Sequence, residues 1–226
     1  MPDLLARCYT ATVRGLAYAR NHRGTAGTAA PLVIAAPDVP GFDPLPGAAE
    51  EAAALVTILP GTVVLPDPAR DTVLARLPGH PIAHFACHGD VNWADPAASR
   101  LILPGHETAP LTVADIGALR LTGGLAYLSA CHTATVPPQL ADEGIHITGA
   151  FHLAGYQHVV GTLWEINDIA AWQLARTFYS RLRDGTAPPD IDIGRSAEAL
   201  HHAVRRLRAR YPDQPGLWAA HTHTGI

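Results

Sequence analysis

The chain has 226 residues, of which 48% are hydrophobic and 16% charged, with a formal net charge of −4 at pH 7. That length buries one good core and an extension, and the composition excludes a disordered chain. The negative balance excludes a global field that attracts nucleic acid, and all sixteen basic residues are arginine, a bias to which no mechanism attaches.

No stretch approaches the roughly 18 consecutive apolar residues that a membrane-spanning helix needs. The start, Met1–Arg7, lacks the apolar run of a signal peptide. Three cysteines (Cys8, Cys87, Cys131) are too few for a disulfide framework in a chain this long. The expectation is a cytoplasmic protein whose thiols stay free to react.

In chain order, Thr12–Arg20 predicts a helix within a lead-in segment, residues 1–30, ahead of a domain over residues 31–226. Leu32–Ala36 predicts a buried strand, Gly47–Leu59 a helix, Thr62–Leu65 a strand, and Pro68–Leu77 a helix with proline just inside its start. Ile82–Cys87 predicts a third strand that ends at His88-Gly89. Between Asp90 and Pro110, Leu101-Ile102-Leu103 lies among turn residues and predicts an inserted hairpin, followed by a helix over Thr112–Leu119. Leu125–Ala130 predicts a fourth strand ending at Cys131, then come a helix over about Glu143–Leu153 and a strand over His158–Leu163. Helices over about Ile169–Leu182 and Ser196–Arg210 flank a turn-rich connector, Gly185–Gly194, and Leu217–Thr224 predicts the last strand. Repeated strand–helix units imply a three-layer α/β/α sandwich with a mostly parallel central sheet.

Catalytic groups in such sheets gather beyond the carboxyl ends of the strands. Two ends carry reactive side chains here, His88 and Cys131. Neighbouring strands lie about 4.8 Å apart, so their end residues come within one side-chain length of each other. An imidazole there can act on a thiol or on a leaving group. Gly89 lets the backbone turn and brings an N–H close to a substrate carbonyl. Spacing alone also allows Cys131 to be a small core residue and His88 a satisfied polar one.

Resemblance decides further. His84-Phe85-Ala86-Cys87-His88-Gly89, Leu128-Ser129-Ala130-Cys131-His132-Thr133, Asp142-Glu143, Ala154-Gly155, Val160–Trp164 with Asp168, and Leu217-Trp218-Ala219-Ala220 resemble, in this order, the CHAT family. CHAT domains are caspase-like relatives found beside tetratricopeptide repeats and are similar to separase. The resemblance runs from about Tyr9 to the C-terminus. It implies a caspase-like fold, His88 as acid/base, Cys131 as nucleophile, and an oxyanion held by backbone N–H groups near Gly89 and Cys131. It further implies a protein or peptide substrate, control by a tetratricopeptide-type domain or another regulatory protein, and no cofactor. Two departures stand out. His132 occupies a position where the family commonly has glutamate, and the chain starts close to Tyr9–Arg14, upstream of which the family carries further residues. A fragment, a trimmed enzyme and an inactive scaffold all remain open.

The remaining signals are weaker. His84, Cys87, His88, Cys131 and His132 have the residue types of a zinc site, but strand alternation sends His84 and Cys87 to opposite faces, so no metal is expected. Asp142-Glu143 opens a helix, where carboxylates serve as caps or shape a substrate cleft. Trp164 and Asp168 follow the fifth strand on the catalytic edge. Trp164 is either a packed aromatic or part of the substrate site. For Asp168 the choice is a helix cap or, as in the similar loop of separase, receptor of a basic P1 side chain. Arg205, Arg206, Arg208 and Arg210 read as a solvated helix face rather than a nucleic-acid contact. His221 and His223 share a strand face beside polar neighbours or water and carry no assigned role.

Overall fold

A computed structural model describes residues 30–66, 68–135, 146–183 and 191–225. The helix predicted over Thr12–Arg20 and the pair Asp142-Glu143 lie outside the described residues.

The main sheet contains β1 (Leu32–Ala35), β2 (Val63–Pro66), β3 (Ile82–Ala86), β7 (Leu125–Ser129), β8 (His158–Thr162) and β9 (His221–Gly225). Their spatial order is β2-β1-β3-β7-β8-β9, with every neighbour parallel except β9, which runs antiparallel to β8. The strands are short apolar runs because helices cover both faces. On one face Leu32, Ile34, Phe85 and Leu128 pack against α2 (Arg70–Arg76), α3 (Val113–Ala118) and α4 (Ile147–Ala154). On the other, Val33, Tyr127 and Val160 pack against α1 (Pro46–Ile58), α5 (Asp168–Arg183) and α6 (Ser196–Arg210). Phe85 is fully buried, edge-on to Phe151 with ring centroids 5.1 Å apart, so its truncation to alanine costs about 3–5 kcal/mol.

The three-layer α/β/α sandwich with a mostly parallel sheet expected from the sequence is therefore present. Four local expectations are corrected. His88 does not end β3; it opens β4 (His88–Asp90), which pairs antiparallel with β5 (Arg100–Ile102), and β5 pairs with β6 (Leu111–Thr112). The inserted hairpin is thus a three-stranded sheet, sealed by Leu101 and Ile102 inside and by an Arg100–Asp90 contact of 2.9 Å outside. Pro68 precedes α2, which starts at Arg70. Finally, Leu217 and Trp218 belong to a helical turn, α7 (Pro215–Trp218), before β9 begins at His221. Proline at the first position favours that turn, and Trp218 Nε1 donates to the Tyr211 carbonyl at 3.0 Å, which fixes it. Fourth, of the two surroundings expected for His221 and His223, water is excluded because both are buried, while His223 does meet a polar neighbour, His158.

Candidate active site

The register Ala86↔Ser129 aligns the ends of β3 and β7, and the Cys87 N–H continues the ladder to the Ser129 carbonyl at 3.3 Å. His88 and Cys131 follow directly. Both line one crevice of about 70 Å³, walled by Ala48 and Glu51 of α1 and by Glu165, Ile166 and Asp168 ahead of and at the start of α5. His88 and Cys131 thus share a crevice, each two residues past the end of β3 or β7, which are parallel neighbours.

His88 is half-buried, tilted against the Phe42 ring at a centroid distance of 5.2 Å. Its Nε2 lies 2.7 Å from the Asp43 carbonyl oxygen. A carbonyl only accepts, so the ring must donate from Nε2, and in the neutral tautomer Nδ1 is left as the lone-pair base. The Asp43 carbonyl therefore orients the imidazole. No side-chain pattern announces such a backbone acceptor, and sequence reading missed it.

Cys131 is held by the turn around it. Gly89 passes so close that a Cβ there would collide with the Cys131 carbonyl oxygen. The φ of Gly89 is not positive, so glycine is required for close approach rather than for the sharp turn expected. His132 has φ of 56°, in the left-handed region, which bends the chain immediately after the thiol. A buried threonine clamp then fixes the bend. Thr133 Oγ1 accepts from the Thr162 N–H at 2.8 Å, Thr162 Oγ1 donates to the Ala130 carbonyl at 2.5 Å, and Thr148 Oγ1 donates to the Thr133 carbonyl at 2.9 Å. All three threonines are fully buried. Gly161 leaves room for them, since a Cβ there would strike both the Thr148 and Thr133 hydroxyls.

Burial pushes the Cys131 thiol above its ordinary range; the Ile166 backbone N–H opposes this, and the nearby Glu165 carboxylate adds to it. Cys131 at rest is a thiol that needs a base. Cys87 differs more: it is 2% exposed in the core with Phe85, and burial first, then Cys131 and Glu51, push it far up.

Below the crevice lies a buried carboxylate that sequence reading did not single out, beside His84, which it did. Glu51, 3% exposed, places Oε1 at 3.1 Å from His84 Nε2, close but off hydrogen-bond alignment. His84 Nδ1 meets the Tyr179 hydroxyl at 3.2 Å, and the ring stacks on Tyr127. Two signals were available. Histidine sat inside an apolar strand, and Glu51 falls on the helical stripe Ala48, Ala52, Leu55 that faces the core.

Asp168 also lines the crevice, but its carboxylate is engaged: Oδ2 accepts from the Gly47 N–H at 2.6 Å. Helix α1 has no side-chain cap of its own at Leu45, so Asp168 supplies one from across the molecule while sitting in the first turn of α5. The α5 helix is capped instead by Asn167, whose Oδ1 accepts from the Ala170 N–H at 3.1 Å. Trp164 is not a crevice residue: its Nε1 donates to the Gly216 carbonyl at 3.1 Å, in α7. Among the described residues no group of three or more His, Cys, Asp or Glu side chains is placed to hold a metal, and His84 and Cys87 face opposite cores. None of the described helices is long and apolar enough to cross a membrane.

Residues 5–226 match the CHAT domain family. No curated protein matches the chain. Among solved structures, the complex of Porphyromonas gingivalis RgpB pro- and mature domains is similar with a TM-score of 0.58 at 12% identity, over 93% of this chain and 51% of that one. The Saccharomyces cerevisiae separase–securin complex is similar with a TM-score of 0.63 at 14% identity, over 94% of this chain and 13% of that one. A structure described as the Arg specific cysteine proteinase gingipain R gives 0.53 at 12% identity, over 86% and 45%. The chain spans about half or less of each of these proteins, and at such identities the likeness establishes the fold.

Proposed function

The chain belongs to the CHAT domain family, and on that premise we propose that it is a cysteine endopeptidase of the caspase and separase type, cleaving a protein partner through Cys131 and His88. The observation that carries this reading is the meeting of the two side chains in one crevice at the carboxyl ends of adjacent parallel strands, with His88 oriented by the Asp43 carbonyl.

The steps follow from that geometry. With substrate seated, His88 Nδ1 takes the Cys131 proton, and the thiolate attacks the carbonyl carbon of the scissile peptide. Backbone N–H groups of Gly89 and Cys131 hold the developing oxyanion. The C–N bond then breaks as the imidazolium returns its proton to the leaving amine. Water, deprotonated by the same nitrogen, cleaves the thioester and restores the thiol. Thiol and imidazole perform this chemistry without metal or cofactor.

Glu51, Glu165 and Asp168 line the crevice together, which favours a cationic residue at P1, and the gingipain R of similar fold is named as Arg specific. Since Asp168 is engaged with Gly47 and Glu51 is buried against His84, Glu165 is the better placed to receive that charge. Residues 1–30 are read as a lead-in to the catalytic domain, and a tetratricopeptide-type or other regulatory protein as its controller. One observation favours the alternative, an inactive scaffold: burial raises the Cys131 thiol rather than lowering it.

Labelling with a peptidyl acyloxymethyl ketone that carries arginine at P1 separates the two. The peptidase reading expects a stoichiometric adduct on Cys131 and none in Cys131→Ala. Equal labelling of both proteins, or none of the wild type, rejects it.

A further inference from the structure

The described residues form a second concavity, apart from the crevice. A groove of about 790 Å³ runs between α5 and α6, lined by Trp172, Arg176, His202, Arg206, Leu207 and Arg210 among others. From the composition of this groove we infer a docking site for an acidic segment of a partner protein, rich in Asp or Glu with interspersed apolar residues. The inference is independent of any catalytic role for Cys131.

Charge is the first argument. The chain is net negative, yet four arginines, Arg176, Arg181, Arg206 and Arg210, line this groove. Among the described residues that line the groove there is no carboxylate. The adjoining Glu198 is already clasped by Arg181 at 2.7 Å and Arg195 at 2.8 Å. The helical pattern was read as a solvated face, but a solvated face is convex. Here the guanidinium groups rim a concavity whose floor includes Ala203 and Leu207, both buried.

Preorganisation is the second. Arg176 lies over the Trp172 ring at 5.8 Å, and Arg210 donates to Gln173 Oε1 at 3.3 Å while lying over Tyr211 at 5.4 Å. Such contacts hold planar forks ready for carboxylates.

Protein rather than nucleic acid is favoured on one ground. The net field of the chain acts alike on both kinds of anion, so the distinction rests on the aromatic face alone. The Trp172 face is covered by Arg176, so it is no platform for a base. From Trp172 to Arg181 the groove edge runs about 13.5 Å along the helix, which matches about four extended residues.

The test uses fluorescence anisotropy on the full chain with a labelled peptide alternating Glu and Leu. Its Gln-for-Glu analogue and a single-stranded DNA oligonucleotide of equal charge serve as comparisons, and the measurements are repeated on Arg206→Glu/Arg210→Glu. Both arginines are exposed, and circular dichroism verifies the fold of the variant. The expected result is binding of the acidic peptide that weakens about tenfold or more in the double variant, together with a change in tryptophan emission that Trp172→Phe removes. Absence of binding overturns the proposal. So does equal affinity for the Gln analogue, equal affinity of the double variant, or tighter binding of the DNA.

Discussion

His88 and the trio His158, His221 and His223 stand in one molecule under opposite conditions. His88 lies at the rim of a crevice, one nitrogen on a carbonyl and the ring half-buried. The trio is enclosed where β8 and β9 pair. His158 Nδ1 faces His223 Nε2 at 3.1 Å, and both nitrogens of His221 are buried without a partner. Burial pushes His158 and His221 down to about 4 and His223 to about 3; His152 pushes His158 and His223 in the same direction, and Asp192 opposes it at His158. The difference teaches that placement decides what an imidazole does. In the crevice that also holds Cys131 it has one ring nitrogen on the Asp43 carbonyl and the other unclaimed by it, whereas between β8 and β9 it is a neutral packing element that acid must disrupt.

Exchange of roles between the two places would break this contrast. Cys131→Ala is expected to abolish probe labelling, and His88→Ala to slow it by about 100-fold or more while the melting temperature stays near that of the wild type. His223→Phe should do the reverse, preserving the labelling rate and shifting stability. If His88→Ala unfolds the protein without slowing the labelling of the folded fraction, the histidine is structural. Within the wild type, brief iodoacetamide treatment should alkylate Cys131 well before Cys87, because Cys87 is enclosed and burial raises it far more.

Acid provides the next measurement. The trio is neutral in the fold, whereas the same residues in the unfolded chain take up protons near pH 6.5. Stability is therefore full above about pH 6.5 and falls as the pH drops towards about 4, where His158 and His221 themselves titrate. Each such group adds up to about 1.4 kcal/mol per pH unit in that window. Urea midpoints of wild type and His221→Leu across pH 7 to 4 should diverge in slope, with the variant flatter. Parallel curves would show that His221 is not part of the acid-labile element.

The contrast also explains what the sequence made legible. His88 and Cys131 were visible because each follows a short apolar run, and the strand-end rule needs nothing more. The sandwich was visible for the same reason. What stayed hidden depends on residues far apart in the chain. The Asp43 carbonyl is backbone, Thr133, Thr148 and Thr162 meet only after β7, α4 and β8 assemble, and Asp168 finds Gly47 across 121 positions. The apolar run Leu217-Trp218-Ala219-Ala220 misled because so short a run suits helix or strand, and Pro215 decided for helix.

The threonine clamp sharpens the idea that the turn presents the thiol. Thr162→Val removes the donor to the Ala130 carbonyl and leaves a buried acceptor without it, at a cost of about 1–3 kcal/mol. Labelling of Cys131 in the folded protein should slow as the bend loosens. A variant that loses stability and labels at the wild-type rate would reduce the clamp to core packing.

The smallest expected effect concerns Asp168. Its carboxylate accepts from the Gly47 N–H at 2.6 Å, and glycine is needed there because a Cβ would run into that carboxylate. Asparagine is as good a cap as aspartate, so Asp168→Asn should alter stability by only a few tenths of a kcal/mol, whereas Asp168→Ala should cost about 1 kcal/mol. Neither should alter which P1 residue is preferred if Asp168 serves as a cap. Glu165→Gln removes a carboxylate that faces Cys131 and is not so engaged, so it should reduce the preference for Arg over Leu by about one decade. A fluorogenic panel with Arg, Lys, Asp, Leu and Met at P1, run on the wild type and these three variants, decides between them. Collapse of the arginine preference in Asp168→Asn, with Glu165→Gln unchanged, would move the charge receptor back to Asp168 and make the capping contact secondary.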